Sequence, residues 1–262
     1  MFVNHCHAFP KGAFKKEEPE AGTIETLLSW MDELSIDKAV TFTPFPEQVK
    51  TTAREANQWL YEEIKGEERL VGFVTVNPLD ADAIEILDQF AEKGFKGVKI
   101  HPPVLRMRIN DERAEPFYAR AEELGLPLLF HTGVHGWRLT HYMPILLDEV
   151  AQNHPNLKII VEHMGGMEFF SQALAVVRNN KNCYAGITAI PVEESDFWGF
   201  PKDLLAYLFY RVDSKKIIYG TDYPWESFSN IKRSIEAVRS FSLPKEDEEN
   251  ILGRSLEVIL PS

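Results

Sequence analysis

Cysteine is scarce in this chain: only Cys6 and Cys183 occur, far apart in sequence. Two such residues cannot make a disulfide framework, and the usage fits a reducing compartment. Clustered cations are also missing. The net charge is -12 over 262 residues with no block of lysine or arginine, which excludes nucleic acid as a partner because phosphate neutralisation needs such clusters. No apolar run approaches the roughly 20 residues of a membrane span, and no signal-type apolar segment opens the sequence. These absences lead to the expectation of a cytoplasmic protein with a small-molecule substrate, no nucleic-acid or membrane partner, and a homodimer left open. No GxGxxG turn follows the first strand-like run, which argues against an open doubly wound nucleotide-binding sheet.

What is present is a regular alternation. Strand-like runs begin at Met1 (MFVNHCH), Lys38 (KAVTFTP), Arg69 (RLVGFVTVNP), Phe95 (FKGVKIHPP), Leu126 (LPLLFHTG), Leu157 (LKIIVEHMGG), Asn182 (NCYAGITAIP) and Lys215 (KKIIYGTDYP). Most are apolar almost throughout, as strands buried on both faces of a parallel sheet must be. Between them lie helical stripes such as Ile24, Leu27, Leu28, Met31 and Leu34. Asp80 and Asn110 stand where N-caps belong, and Gly94 and Gly125 where C-caps belong. Further helices are expected near 47–65, 142–153, 167–180, 202–213, 227–241 and 246–259. Eight strand and helix alternations predict an α/β fold, a single-domain (β/α)8 TIM barrel over 1–262.

The stretch NHCH places His5 and His7 one residue apart. Residues two apart on a strand share a face at about 3.3 Å of rise each, so both imidazoles would point the same way and Cys6 the other. His101, His131 and His163 fall at or near the C-terminal ends of the fourth, fifth and sixth runs, and His135 and His141 follow in the fifth loop. Only His154, of eight histidines, sits at the opposite end. In such a barrel the C-terminal rim carries the active site. Asp222, in YGTDYP at the end of the eighth run, joins this rim. His5, His7, His131 and Asp222 together make a nitrogen and oxygen set suited to zinc or a similar divalent ion.

The ordered motifs HCH, GVKIHP, LFHTG, VEHMGG and YGTDYP resemble the amidohydrolase superfamily, closest to the amidohydrolase-related group that includes TIM-barrel metal-dependent hydrolases and aminocarboxymuconate-semialdehyde decarboxylase. The resemblance implies metal ligands His5, His7, His131 and Asp222, with His163 as the acid/base or electrophilic residue and Asp222 sharing proton handling. It implies one Zn2+, and a second metal if Lys99 is carbamylated and His131 and His163 take that second ion. Relatives often begin DxHxH, whereas Val3 stands at the aspartate position here. The C-terminal GxNAxxxL pattern is only partly matched by LGRSLEVIL, with Arg254 and Ser255 replacing asparagine and alanine.

Around this set, Lys99, His101, Trp137, Arg138 and Trp225 are the candidate substrate contacts, with Arg106, Arg108 and Trp198 also at the expected mouth. Arginine pairs bidentately with carboxylates, and aromatic walls exclude water from flat substrates. The leading expectation is a metal-dependent hydrolase that activates water against an amide, ester or lactone bond of a small carboxylate-bearing substrate. The alternatives are a metal-dependent nonoxidative decarboxylase of a small carboxylic acid and a catalytically silent metal- or ligand-binding barrel.

Overall fold

The computed structural model describes residues 1–46, 51–189 and 202–261. The strands are β1 (Phe2–His7), β2 (Lys38–Phe42), β3 (Leu70–Gly72), β4 (Val74–Thr75), β5 (Val98–Ile100), β6 (Leu128–His131), β7 (Ile159–Glu162), β8 (Cys183–Ile187) and β9 (Ile217–Tyr223). Their order is β3-β2-β1-β9-β8-β7-β6-β5-β4, and every pairing is parallel. β3 and β4 are two halves of the single run at Arg69, interrupted at Phe73, so this one strand joins both ends of the order and closes an eight-membered barrel. Gly97 makes the interruption fit. A Cβ there would lie 2.5 Å from the Phe73 ring.

Alternation along the strands separates two apolar layers. Val98, Leu128, Phe130, Ile159, Val161 and Ile217 pack outward beneath the helices. Val40, Phe42, Phe73, Leu129, Ile160 and Ile218 point inward and form a separate cluster with Leu256 and Ile259. The C-terminal helix Ser255–Ile259 therefore plugs the bottom of the barrel, where burying each Leu or Ile side chain is worth about 1.5–3 kcal/mol. With the floor dry and filled, the polar inward residues are confined to the upper end of the strands.

Several local expectations shift. The helix expected from 47 runs over Ala53–Ile64, started by a capping box between Thr52 and Glu55, and 47–50 lie outside the described residues. Asp82, not Asp80, precedes the helix Ala83–Glu92, and Asp111, not Asn110, caps the next turn by accepting the Arg113 N–H. The helix expected over 142–153 is divided at Met143–Ile145 into Leu139–Tyr142 and Leu146–Asn153, because Pro144 there has no N–H to continue the ladder. The helix expected over 246–259 breaks into three pieces around a wide turn at Asn250–Arg254, where a Cβ on Gly253 would press within 2.8 Å of the Phe2 backbone nitrogen. Gly94 and Gly125 adopt φ of 94° and 67°, the left-handed geometry of helix ends. Among the described residues no helix is long and apolar enough to cross a membrane.

Candidate metal centre

Strand β1 does not alternate regularly where the two histidines sit. Its register against β2 and β9 shifts between residues 3 and 6, and His5 takes φ 62°. His5 and His7 do point to one place, as expected; ahead of them a bulge turns the consecutive side chains of Asn4 and His5 toward the same carboxylate, that of Glu162. Asp222 (φ 58°) and His163 (φ 62°) share the left-handed backbone. Each such residue costs on the order of 1–3 kcal/mol and persists only where its surroundings over-determine it.

The bulge delivers His5, His7 and Asp222 to one place. One ligand atom of each lies within 4.8 Å of the others. Asp222 Oδ1 is 3.4 Å from both His5 Nε2 and His7 Nε2. His163 stands alongside, its ring 4.9 Å from that of His5 and 4.7 Å from that of His131. Lys99 is wholly buried, with Nζ 3.2 Å from His5 Nε2 and 5.2 Å above the Phe42 ring.

Burial sets the protonation states. It lowers the His5 imidazole well below its usual range, helped by the Lys99 charge, lowers His7 against the pull of Asp222, and brings His163 to about 4. These rings are neutral at neutral pH, so their lone pairs are free. Burial works to raise the Asp222 carboxyl, yet the hydrogen bond with His7 and the charges of His163, His7 and Lys99 outweigh it and hold the group below the usual range. Burial brings Lys99 down to about 8 against the attraction of Glu162 and Asp222. Two neutral imidazole nitrogens and one ionised carboxylate oxygen, converging in a nearly dry site, are a donor set that fits a divalent cation.

The expected fourth ligand is placed differently. His131 stacks on His101 at 3.8 Å with 9° between ring planes, and these two form a second group of nitrogen donors with His135. The sequence-expected quartet is thus divided into a trio and one residue facing it past His163. The physical reason is the strand position: His131 leaves β6 opposite Glu162 of β7, not next to β1. His101 Nδ1 is buried without a hydrogen-bond partner among the described residues.

The expected substrate contacts scatter. Lys99 and His101 line the barrel interior, and Trp225, 57% exposed, stands edge-on to His7 at 6.3 Å on the rim. Trp137 packs against His141 and Tyr142. Arg138 is exposed at the start of Leu139–Tyr142, Arg106 is exposed, and Arg108 bonds Asn110. Trp198 lies outside the described residues. At the opposite end, His154 is held by Glu115 at 2.8 Å and Glu122 at 3.4 Å, a stabilising role.

Sequence reasoning missed Glu162. Its carboxylate is fully buried, and Asn4, Thr188 and the His163 backbone N–H all donate to it. The signal was present: one acid ending the apolar run IIV immediately before His163.

Comparison with known proteins bears on what such a site does. A family model described as amidohydrolase (Amidohydro_2) matches residues 5–254. The 2-amino-3-carboxymuconate-6-semialdehyde decarboxylase of Dictyostelium discoideum is 23% identical over 62% of this chain, a match that spans about half of that protein (52%). The gamma-resorcylate decarboxylase of Rhodococcus jostii is 25% identical over 88% of this chain and 82% of its own. Among solved structures, a dihydroxybenzoic acid decarboxylase from a Polaromonas species, with bound manganese and the inhibitor 2-nitroresorcinol, superposes with a TM-score of 0.75 at 18% identity, covering 98% of this chain and 96% of that one. These three proteins are decarboxylases, and this overturns the expectation of amide, ester or lactone hydrolysis. Since the family match runs from His5 to Arg254, the chain belongs to the Amidohydro_2 amidohydrolase family.

Proposed function

We propose that the protein is a metal-dependent nonoxidative decarboxylase of a small unsaturated or aromatic carboxylic acid, working in the cytoplasm. The observation that carries the reading is the convergence of His5, His7 and Asp222 beside the buried Lys99 cation. Decarboxylation is favoured by the activities of the two relatives, and the cytoplasm by two free, buried cysteines. His5, His7 and Asp222 would hold one divalent ion, zinc or manganese, with His131 as a fourth donor from the facing wall. When bound, that ion supplies positive charge that polarises substrate oxygens.

The chain's own residues account for the rest. Lys99 offers a second positive charge to the substrate carboxylate from the barrel interior. Phe42, Phe9 and Trp225 surround His7 with flat apolar surface that keeps water from the reacting carbon. In the reaction the bond to the carboxyl carbon breaks, its electron pair stays on the substrate carbon, carbon dioxide leaves and the carbon takes up a proton. His163, whose neutral ring stands between those of His5 and His131, relays that proton from water to the carbon. Asp222 is held ionised and so carries no proton to give; its part is ligation.

The test is a panel of hydroxybenzoates and unsaturated dicarboxylic acids offered to Zn2+- or Mn2+-loaded protein, scored for carbon dioxide. Release that stops on chelation and returns with metal supports the reading. Metal-loaded protein that releases none from any member, while hydrolysing an ester or lactone control, refutes it.

A further inference from the structure

Three hydrogen-bond donors hold the Glu162 carboxylate, and the His5 ring lies beside it. Thr188 Oγ1 donates to Oε1 at 2.5 Å and the His163 backbone N–H donates to the same oxygen at 3.2 Å. Asn4 Nδ2 donates to Oε2 at 2.8 Å, and His5 Nδ1 lies 3.1 Å from Oε2, off the line of a straight hydrogen bond. A carboxylate accepting at both oxygens satisfies the three donors. The backbone leaves room for it. A Cβ on Gly186 would sit 2.6 Å from Glu162 Oε1, and one on Gly220 would sit 2.2 Å from Thr188 Oγ1, so two glycines on neighbouring strands make the cradle.

The other face of the His5 ring is equally specified. Nε2 is 3.2 Å from Lys99 Nζ, a donor, and 3.4 Å from Asp222 Oδ1. A nitrogen that receives a hydrogen bond from lysine presents its lone pair, so the ring proton belongs on Nδ1, which lies 3.1 Å from Glu162 Oε2. Val3, two residues before His5, is apolar and offers the ring no acceptor. Here a carboxylate reaches His5 from β7 instead.

We propose that Glu162 is the positioning residue of the metal centre: seated among Asn4, Thr188 and Gly186, it holds the His5 ring with Nδ1–H turned to itself and the Nε2 lone pair turned to Asp222. This deepens the metal-dependent reading and rests on it for the ion, but the ring tautomer is a property of the metal-free protein. A partner of this kind fixes both the orientation and the basicity of a ligating imidazole, and losing one typically costs about 10- to 100-fold in metal affinity.

The experiment is proton–nitrogen correlation NMR on histidine side chains of the metal-free chain, with His5 signals identified by their loss in His5→Gln, followed by Zn2+ affinity from chelator competition. The wild type is expected to show His5 protonated on Nδ1. Glu162→Gln, whose amide must face two donors in either orientation, is expected to mix the tautomers and to weaken Zn2+ binding about 10- to 100-fold. Thr188→Val, which leaves the carboxylate but removes one anchor, is expected to move both readouts the same way by less, and it decides the matter if Glu162→Gln fails to fold. His5 protonated on Nε2 in the wild type, or unchanged tautomer and affinity in the folded variants, overturns the proposal. Protein with the expected tautomer that binds no divalent ion would instead overturn the metal-dependent reading and leave the positioning of His5 standing.

Discussion

Two groups of three residues whose side chains offer metal-ligand atoms stand on the upper end of the barrel, and they are built on opposite principles. His5 and Asp222 stand on strained backbone, with the Glu162 carboxylate and a lysine within contact distance of His5, and the His5 and His7 rings are tilted 50° from each other. His101 and His131 come from the regular ends of β5 and β6, lie nearly parallel at 3.8 Å, and meet His135 edge-on at 4.6 and 5.4 Å. The donor atoms of this second group also lie within 4.8 Å of one another, but stacked planes keep the in-plane lone pairs of His101 and His131 from aiming squarely at one point. The first group also carries anionic charge and the second carries none. Proximity of histidines alone is therefore a poor guide to where a cation sits; convergent lone pairs and a fixed countercharge are the better one.

This contrast can be broken by substitution. Asp222→Ala carries the largest expected effect: it removes the only carboxylate of the first trio, so metal per chain measured by elemental analysis should fall toward zero and turnover with it. His163→Asn should keep about one metal per chain while turnover drops by roughly 10²–10⁴, the usual worth of a positioned proton donor. Loss of metal in this variant would move His163 into the ligand set. On the opposite wall, His131→Ala should weaken Zn2+ binding while His135→Ala leaves it unchanged. An ion lost with His135 would mean the second trio binds metal in its own right.

The smallest effect concerns stability. His5, His7, His131 and His163 are all held below the ordinary histidine value, chiefly by burial. Between about pH 6.5, where the unfolded chain takes up these protons, and the lower native values, about 4 for His163, the unfolded state binds more protons. Stability is therefore fully present above about pH 6.5 and declines as pH falls through that window. Thermal melts of metal-free protein from pH 7 to pH 5 should show a falling midpoint, and His163→Asn should fall less steeply.

Much of this was legible in the chain because parallel strands buried on both faces write themselves as apolar runs. A histidine or aspartate ending such a run marks the rim. The bulge at His5 was not legible, since nothing local asks for φ 62° there; contacts with Glu162, Lys99 and Asp222 impose it. Glu162 read as one more strand residue because its partners, Asn4 and Thr188, come from strands β1 and the end of β8, far away in sequence. The split of β3 from β4 depends on the space above Gly97, and the broken last helix on the approach of Gly253 to Phe2. Hydrolysis and decarboxylation draw on the same ligand set, so residue types alone favoured the wrong one, and the relatives were needed to correct it.

The most direct measurement counts metal and carbon dioxide on the same sample. Wild-type protein loaded with Zn2+ or Mn2+ and given a hydroxybenzoate panel should release carbon dioxide from at least one member, in proportion to bound metal, and Asp222→Ala should lose both together. Carbon dioxide release that persists at full rate in metal-free Asp222→Ala would contradict the account, because the trio of His5, His7 and Asp222 would then have no part in the chemistry.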